Sequence, residues 1–166
     1  GIKIRDTLKQ HILNNKKDID SNAKAITTVV STPMIDTIAP KRNVGVIKTL
    51  TGFKYIGEKI IQFENKELDG SYLFGFEESY GYLVEPFVRD KDAIQACLIL
   101  AECISFYKHE GKTLVDVLNE LYATYGYHHE DQVSLTLKGS EGSQKIKAIL
   151  DHFRTQAIPS FAGLKV

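Results

Sequence analysis

The sequence YLFGFEESYGY at residues 72–82 carries the clearest indication of the fold. Its first five residues are rich in aromatic side chains and follow the turn-prone sequence DGS at 69–71, which predicts a buried strand. Glu77, Glu78 and Ser79 come directly after this strand, where open α/β sheets bind their ligands. An ionised carboxylate only accepts hydrogen bonds, so adjacent carboxylates suit a ligand with several hydroxyl donors, such as a sugar. The alternative is a solvated acidic loop, which these residues alone favour.

The composition is that of an ordinary globular protein. The 166 residues are 43% hydrophobic and 25% charged, and 21 Lys plus Arg balance 21 Asp plus Glu. We therefore expect neither a nucleic-acid partner nor a membrane partner, since no basic patch stands out and the apolar run Ala96–Ala101 is too short to span a bilayer. Because the chain begins at Gly1 without a methionine and ends in mid-pattern, we expect it to be a fragment of a longer protein.

The two cysteines, Cys97 and Cys103, are six residues apart in a predicted helix. This spacing places them on different faces, so we expect no disulfide between them. We interpret both as small core or near-core thiols in a reducing compartment, and we expect a cytoplasmic protein.

Strands and helices alternate along the chain. The residue patterns predict strands at 25–30, 44–48, 72–76 and 132–137. Before the first of these strands they predict a helix with apolar residues Ile4, Leu8 and Ile12, and between the strands a helix capped by Thr32 with Pro33 in its first turn, a helix with Phe53, Ile56, Ile60 and Ile61 on one face, and helices at 93–108 and 114–125. A last helix is predicted through Ile146, Ile149, Leu150 and Phe153. We predict an α/β fold over residues 1–130, a three-layer α/β/α sandwich with a small mixed sheet of about four strands. Residues 131–166 are predicted to form a linker and a partial C-terminal unit.

Two helices carry clear start signals. Asp90 or Asp92 can cap the helix at 93–108, which is apolar almost all round and is therefore expected to be largely buried. Thr113 and Asp116 have the spacing of a cap for the following helix.

Two further places could bind an anion. Thr51 and Lys54 flank the start of the helix that follows the second strand, where free backbone N–H groups form a potential anion site; the alternative is simple N-capping by Thr51. Gly57 in this helix would let it approach the sheet closely. Arg89 and Lys91 precede another helix and could bind a phosphate, or could be solvated cations.

Two sequence patterns resemble known binding motifs but do not match them. The sequence GKT at 111–113 resembles the end of a P-loop, but the first glycine of that motif would fall at Phe106. His128 and His129 are adjacent and lack a third ligand at helical spacing, so no metal site is predicted there.

Three motifs together resemble a known family. TLTGFKYIG at 49–57, GFEESYG at 75–81 and RDKD at 89–92 occur in the order typical of the α-D-phosphohexomutase superfamily. The chain resembles the third of four domains in the phosphoglucomutase and phosphomannomutase branch, followed by the start of the fourth. The resemblance covers nearly the whole chain.

The resemblance implies a mutase that moves a phosphoryl group between the 1 and 6 positions of a hexose, through a phosphoserine enzyme and a bisphosphate intermediate. It also implies Mg²⁺ held by the second domain and an activator of the glucose 1,6-bisphosphate type. Glu77 and Ser79 would hold ring hydroxyls, with Glu78 between them. The remaining candidates for binding the phosphosugar are Lys91 and Arg89, together with Thr51, Gly52, Phe53 and Lys54, which would line the cleft.

The departures from the family pattern are equally informative. The chain contains no Thr-Ala-Ser-His-Asn-Pro loop, no Asp-x-Asp-x-Asp run and no arginine-rich phosphate loop. We therefore predict that it binds sugar at most, holds no metal, provides no catalytic residue, and needs the other domains of the same chain for activity.

Three alternatives stay open: a stand-alone phosphosugar-binding or regulatory module, a phosphopentomutase of the same superfamily, and a purely structural domain. The structural alternative would be favoured if Glu77 and Ser79 were buried against the protein's own groups. The sequence leaves the sugar undetermined among glucose, mannose and pentose phosphates.

Overall fold

The computed structural model describes residues 20–131, 134–157, 159–161 and 163–165. The predicted helix with Ile4, Leu8 and Ile12 lies outside these residues. The chain divides into two compact units, one ending at Glu130 and the other beginning at Asp131.

A four-stranded mixed sheet forms the centre of the first unit. Its order is β2-β1-β3-β4, and its strands are β1 (Ala23–Thr28), β2 (Gly45–Thr49), β3 (Ser71–Phe76) and β4 (Tyr82–Leu83). The first three strands are parallel, and β4 returns antiparallel to β3. The predicted mixed sheet is therefore confirmed, although β4 was not located from the sequence, because two residues are too few to show an alternating pattern.

Helices cover both faces of this sheet. They are α1 (Met34–Ile38), a 3₁₀ turn (Pro40–Arg42), α2 (Phe53–Glu64), α3 (Ala93–His109) and α4 (Leu114–Tyr125). Helix α2 packs on one face, and α1, α3 and α4 contribute to the core on the other face. Since β2 and β3 lie on opposite sides of β1, right-handed crossovers place α1 and α2 on opposite faces. The result is the predicted three-layer α/β/α sandwich.

The predicted caps of α3 and α4 are present. Asp92 Oδ1 accepts hydrogen bonds from the backbone N–H groups of Ile94 at 2.8 Å and Gln95 at 3.2 Å. Thr113 and Asp116 form a reciprocal capping box at the start of α4. These caps satisfy helix N–H groups that would otherwise lack partners.

The expectation that α3 is largely buried is wrong. Within α3 only Cys103 and Tyr107 are buried, whereas Cys97 is exposed and is therefore not the near-core thiol that was expected. Only one face of α3 packs against the described part of the first unit, so an apolar residue on the opposite face has nothing in that part to cover it.

Gly57 allows a close approach, but not the one expected from the sequence. A Cβ atom at Gly57 would lie 2.6 Å from the backbone carbonyl oxygen of Arg89. The missing side chain therefore makes room for the loop before α3 rather than for the sheet.

The second unit consists of α5 (Gly139–Thr155) and the antiparallel strands β5 (Ser160–Phe161) and β6 (Leu164–Lys165). The strand predicted at 132–137 is not present in its described part, since residues 134–137 are irregular. The assignment of this unit to the start of a fourth domain stays a prediction. None of the helices in the described ranges of the chain is both long and apolar enough to cross a membrane.

Candidate functional site

The candidate site lies at the carboxyl edge of the parallel strands. Thr28 at the end of β1 pairs in register with Thr49 at the end of β2, and Thr27 pairs with Phe76 at the end of β3. The loops that follow these strands therefore meet at one edge, as the position of the acidic loop predicted.

Glu77 is buried and ties two of these loops together. The residue is only 5% exposed, and its Oε1 accepts a hydrogen bond of 3.0 Å from the backbone N–H of Gly52. Its own backbone N–H donates to the carbonyl of Gly81 at 2.8 Å. A carboxylate at the start of α2 is stabilised by the free N–H groups and the dipole of the helix.

This contact changes the interpretation of the predicted anion site. The start of α2 is occupied by the protein's own carboxylate, and the N-cap residue is Gly52, without a side-chain capping bond. The alternative in which Thr51 caps the helix is therefore wrong. Thr51 and Lys54 are both exposed, and Lys54 Nζ lies 4.8 Å from the centroid of the Tyr55 ring.

Gly81 is the point where the three sequence motifs meet. A Cβ atom there would lie 2.7 Å from Glu77 Oε2, 3.2 Å from Lys91 Cδ and 3.3 Å from Phe53 Cδ2. Lys91 Nζ also lies 5.9 Å from the centroid of the Phe53 ring, within range of a cation–π contact. Phe53 is buried in the core beneath α2, so its ring supports the site from below.

Glu78 contacts the end of β1, whereas the neighbouring Glu77 contacts the start of α2. Its Oε2 accepts a hydrogen bond of 2.7 Å from Thr28 Oγ1, which lies 3.0 Å from Ser31 Oγ. Both hydroxyl residues are buried. Sequence reasoning did not identify Thr28 and Ser31, although polar residues at the end of β1 meet the same criterion that identified Glu77.

Ser79 and Tyr80 form the exposed tip of the loop. Tyr80 adopts a left-handed backbone conformation with φ 65°, which turns the chain back toward β4. A purely structural domain would be favoured if both Glu77 and Ser79 were buried against the protein's own groups. This holds for Glu77 and not for Ser79.

Arg89 does not lie with the side chains that meet at Gly81. Its guanidinium forms two hydrogen bonds to Glu64, at 2.7 and 2.8 Å, and also donates to the carbonyl of Pro86. Glu64 is the last residue of α2, so this ion pair lies roughly 18 Å along the helix from Gly52.

The charge at Lys91 is balanced locally. Asp90 Oδ1 accepts hydrogen bonds from the Lys91 backbone N–H at 2.7 Å and from Lys91 Nζ at 3.2 Å. The backbone hydrogen bond from Lys91 is the main cause that holds the pKa of Asp90 below its usual value. Within the described part of the chain, no three His, Cys, Asp or Glu side chains come together as ligands for a metal ion.

Comparisons with known proteins agree with this architecture. The sequence model of one family, described as phosphoglucomutase/phosphomannomutase, alpha/beta/alpha domain III, matches residues 6–125. Phosphoglucomutases from Staphylococcus aureus strains MRSA252 and N315 are 43% identical to the chain over 141 residues, which cover 85% of the chain. The chain spans only about a quarter, 25%, of the length of these relatives.

A solved structure shares the fold. A proposed phosphomannomutase from Thermus thermophilus matches with a TM-score of 0.62 and 24% sequence identity. The match covers 83% of this chain and 30% of that protein.

Proposed function

Because the chain belongs to the phosphoglucomutase/phosphomannomutase alpha/beta/alpha domain III family, we propose that it is the sugar-binding domain of a longer phosphosugar mutase. The reaction proposed for the longer protein is the interconversion of hexose 1-phosphate and hexose 6-phosphate. Glucose is the first sugar to test, because the Staphylococcus aureus relatives are named as phosphoglucomutases.

The observation that carries this proposal is the convergence of three loops at Gly81. Glu77, Lys91 and Phe53 all approach this glycine, and the exposed hydroxyl of Ser79 lies two residues before it. Carboxylate oxygens accept hydrogen bonds from sugar hydroxyls, and an ammonium group donates to sugar or phosphate oxygens. The cluster therefore has the chemistry that an anionic sugar requires.

The two glutamates have different roles in this proposal. Glu77 uses Oε1 to hold Gly52, and its Oε2 is placed toward Gly81, where a sugar hydroxyl could donate to it. Glu78 is bonded to Thr28 and acts as a positioning residue that fastens the loop to β1. Adjacent residues of an extended chain point in opposite directions, so one carboxylate serves the ligand and the other serves the fold.

An acceptor-only carboxylate also suits a ligand that must turn over. In the proposed reaction the bisphosphate intermediate presents first one end and then the other to the phosphoryl donor. Its hydroxyls then occupy two similar arrangements, and Glu77 and Ser79 can bond to either one without a proton changing place.

The phosphoryl donor is proposed to lie elsewhere in the longer protein. This chain lacks the serine and aspartate loops of the family, and its described side chains do not fit a magnesium site. We assign no step to a metal held by these residues. Magnesium and phosphoserine in other domains, an activator of the glucose 1,6-bisphosphate type and a cytoplasmic location belong to the same proposal.

A domain exchange tests this function. The matching 141 residues of the Staphylococcus aureus phosphoglucomutase are replaced by those of this chain, and conversion of glucose 1-phosphate to glucose 6-phosphate is measured. We expect turnover in the exchanged protein and none in the isolated chain. Glu77→Gln should lower kcat/KM roughly 10- to 100-fold, the worth of a hydrogen bond that involves a charged group, and Ser79→Ala roughly 2- to 10-fold, the worth of a neutral one.

Glu110→Gln provides the matched control, since Glu110 is an exposed carboxylate beyond the end of α3. Its kcat/KM should equal that of the unsubstituted exchanged protein. An unchanged kcat/KM in both the Glu77 and the Ser79 variants would exclude this loop from the sugar site.

A further inference from the structure

The loop between β3 and β4 ends in an unusual residue. The backbone N–H of Glu77 donates to the carbonyl of Gly81, which leaves Glu78, Ser79 and Tyr80 as a three-residue loop between antiparallel strands. Such loops commonly end in a residue with a left-handed backbone, and glycine is preferred there because it has no Cβ atom. In this chain the position is filled by Tyr80, with φ 65°.

The left-handed backbone of Tyr80 is strained. Among the described residues, the other non-glycine residues with a positive φ are Asn43 and Lys66, and both lie at the ends of helical segments, where this conformation is common. The turn before β3 obtains its φ of 112° from Gly70. A bulky aromatic residue with a positive φ is an outlier, and such strain is concentrated at functional sites.

The side chain of Tyr80 makes no contact that would offset this strain within the described part of the chain. It is 71% exposed and takes part in no hydrogen bond or ring contact there. The described chain begins at residue 20, before the amino end of β1, so the preceding segment joins at the opposite edge of the sheet. The six residues of β1 separate the two edges by roughly 20 Å. The fold itself therefore gives no reason for a tyrosine at this position.

The position of Tyr80 connects it with the proposed sugar site. It lies between Ser79, whose hydroxyl is exposed, and Gly81, which Glu77 Oε2 and Lys91 approach. These polar groups can bond the oxygen atoms of a sugar, but they leave the carbon–hydrogen faces of its ring without a partner. An aromatic ring has a broad apolar surface with a partly negative face, which attracts such C–H groups, and the tyrosine hydroxyl stays in water.

We propose that Tyr80 is a sugar-contacting residue, whose aromatic ring packs against a carbon–hydrogen face of the bound hexose. This inference rests on the proposed function, in which Glu77 and Ser79 hold the hydroxyls of the same sugar. It accounts for a side chain at a position of the loop where the backbone favours glycine.

The first test asks whether the backbone of Tyr80 is strained, with two variants of the isolated chain. At an ordinary φ, alanine gives a more stable protein than glycine, because glycine loses more conformational freedom on folding. At a left-handed position the order reverses, so Tyr80→Gly should have a urea midpoint about 0.5 M higher than Tyr80→Ala. An equal or lower midpoint for Tyr80→Gly would overturn the strain on which the proposal depends.

The second test measures kcat/KM for glucose 1-phosphate in the exchanged Staphylococcus aureus phosphoglucomutase. Tyr80→Ala and Tyr80→Gly should both lower kcat/KM roughly 3- to 10-fold, the effect of losing one packed aromatic ring, although their stabilities differ. Tyr80→Phe keeps the ring and should show a smaller loss. Tyr127→Ala removes an equally exposed tyrosine, beyond the end of α4, and should leave kcat/KM unchanged.

Three results would overturn the proposal. They are a kcat/KM within about 2-fold of the unsubstituted protein in both the alanine and the glycine variants, a loss in the alanine variant alone, and equal losses in the alanine and phenylalanine variants. The second result would trace the effect to stability, and the third to the hydroxyl rather than to the ring. A loss in Glu77→Gln with none in the Tyr80 variants would refute this contact and leave the proposed function standing.

The contact can also be measured without turnover, by proton NMR of glucose 1-phosphate with the isolated chain. Sugar protons that lie over an aromatic ring move upfield. This shift should be present with the unsubstituted chain and with Tyr80→Phe, and absent with Tyr80→Ala. The same shift with Tyr80→Ala, or none with the unsubstituted chain while the amides of residues 77–81 respond to the sugar, would overturn the contact.

Discussion

Replacing Gly81 by alanine should disturb the site at its centre. The added methyl group would lie 2.7 Å from Glu77 Oε2, closer than Cβ atoms approach other heavy atoms, and within 3.3 Å of Lys91 Cδ and Phe53 Cδ2. The backbone of Gly81 is not in the left-handed region, so the cost comes from this collision and not from its φ angle. Either Glu77 or the β3–β4 turn must move.

The expected loss in the free energy of unfolding has two contributions. Overpacking a filled position costs roughly 1–3 kcal/mol, and displacing buried Glu77 from the Gly52 N–H costs a charged hydrogen bond of about 1.5–3 kcal/mol. Because part of each cost is shared, Gly81→Ala should lower the free energy of unfolding by about 2–4 kcal/mol. The chain contains no tryptophan, so urea unfolding is best followed by far-UV circular dichroism.

A double-mutant cycle tests whether the collision with Glu77 causes this loss of stability. In a Glu77→Ala background the obstructing carboxylate is absent, so Gly81→Ala should cost at least ~1 kcal/mol less than in the wild type. Ser79→Ala, at the exposed tip of the same loop, is the control and should change stability by no more than about 0.5 kcal/mol. Additive effects of the two core substitutions would refute the collision on which this reasoning depends.

Three further predictions concern contacts that hold the first unit together. Thr28→Val should remove the hydrogen bond to Glu78 and lower the free energy of unfolding by about 1.5–3 kcal/mol in urea titrations, whereas Thr28→Ser should retain most of it; equal losses would contradict the role of the hydroxyl. Gly57→Ala should cost roughly 1–3 kcal/mol in the same assay, because the new methyl group meets a backbone carbonyl at 2.6 Å, and a neutral result would contradict that close approach. Hydrogen bonds from the Thr113 hydroxyl and then from its backbone N–H lower the pKa of Asp116, so the capping box is fully formed above the usual carboxyl pKa and weakens as the pH falls through the lowered value. In Thr113→Ala, an NMR pH titration should give a pKa for Asp116 closer to its usual value, and an unmoved pKa would exclude this cap as the main cause.

The sequence predicted the layered sheet and the place of the acidic loop at its carboxyl edge because both depend on local patterns. The aromatic strand before Glu77 and the acidic loop after it are adjacent in the chain, and the carboxyl ends of parallel strands always share an edge. The division of labour between Glu77 and Glu78 could not be predicted. It depends on Gly52 and Thr28, which are 25 and 50 residues distant in sequence and are brought close only by the sheet order.

The burial of α3 could not be predicted either. An all-round apolar helix indicates that both faces will be covered, but the pattern does not say whether the cover belongs to the same domain. Ile94 therefore has the sequence signature of a core residue and 83% exposure in the structure. The ion pair of Arg89 with Glu64 could not be predicted for a related reason, since it depends on how the loop crosses α2.

The central claim is that this chain contains a preformed site for a phosphosugar, and an amide-resolved NMR titration tests it most directly. Glucose 1-phosphate, glucose 6-phosphate and mannose 1-phosphate are added in turn to the 166-residue chain, with glucose and inorganic phosphate as controls. We predict saturable shifts, even at weak affinity, at Gly52, at residues 77–81 and at Lys91, larger for the phosphosugars than for either control. Shifts centred on the Arg89–Glu64 ion pair, or no shift at any amide, would contradict the claim.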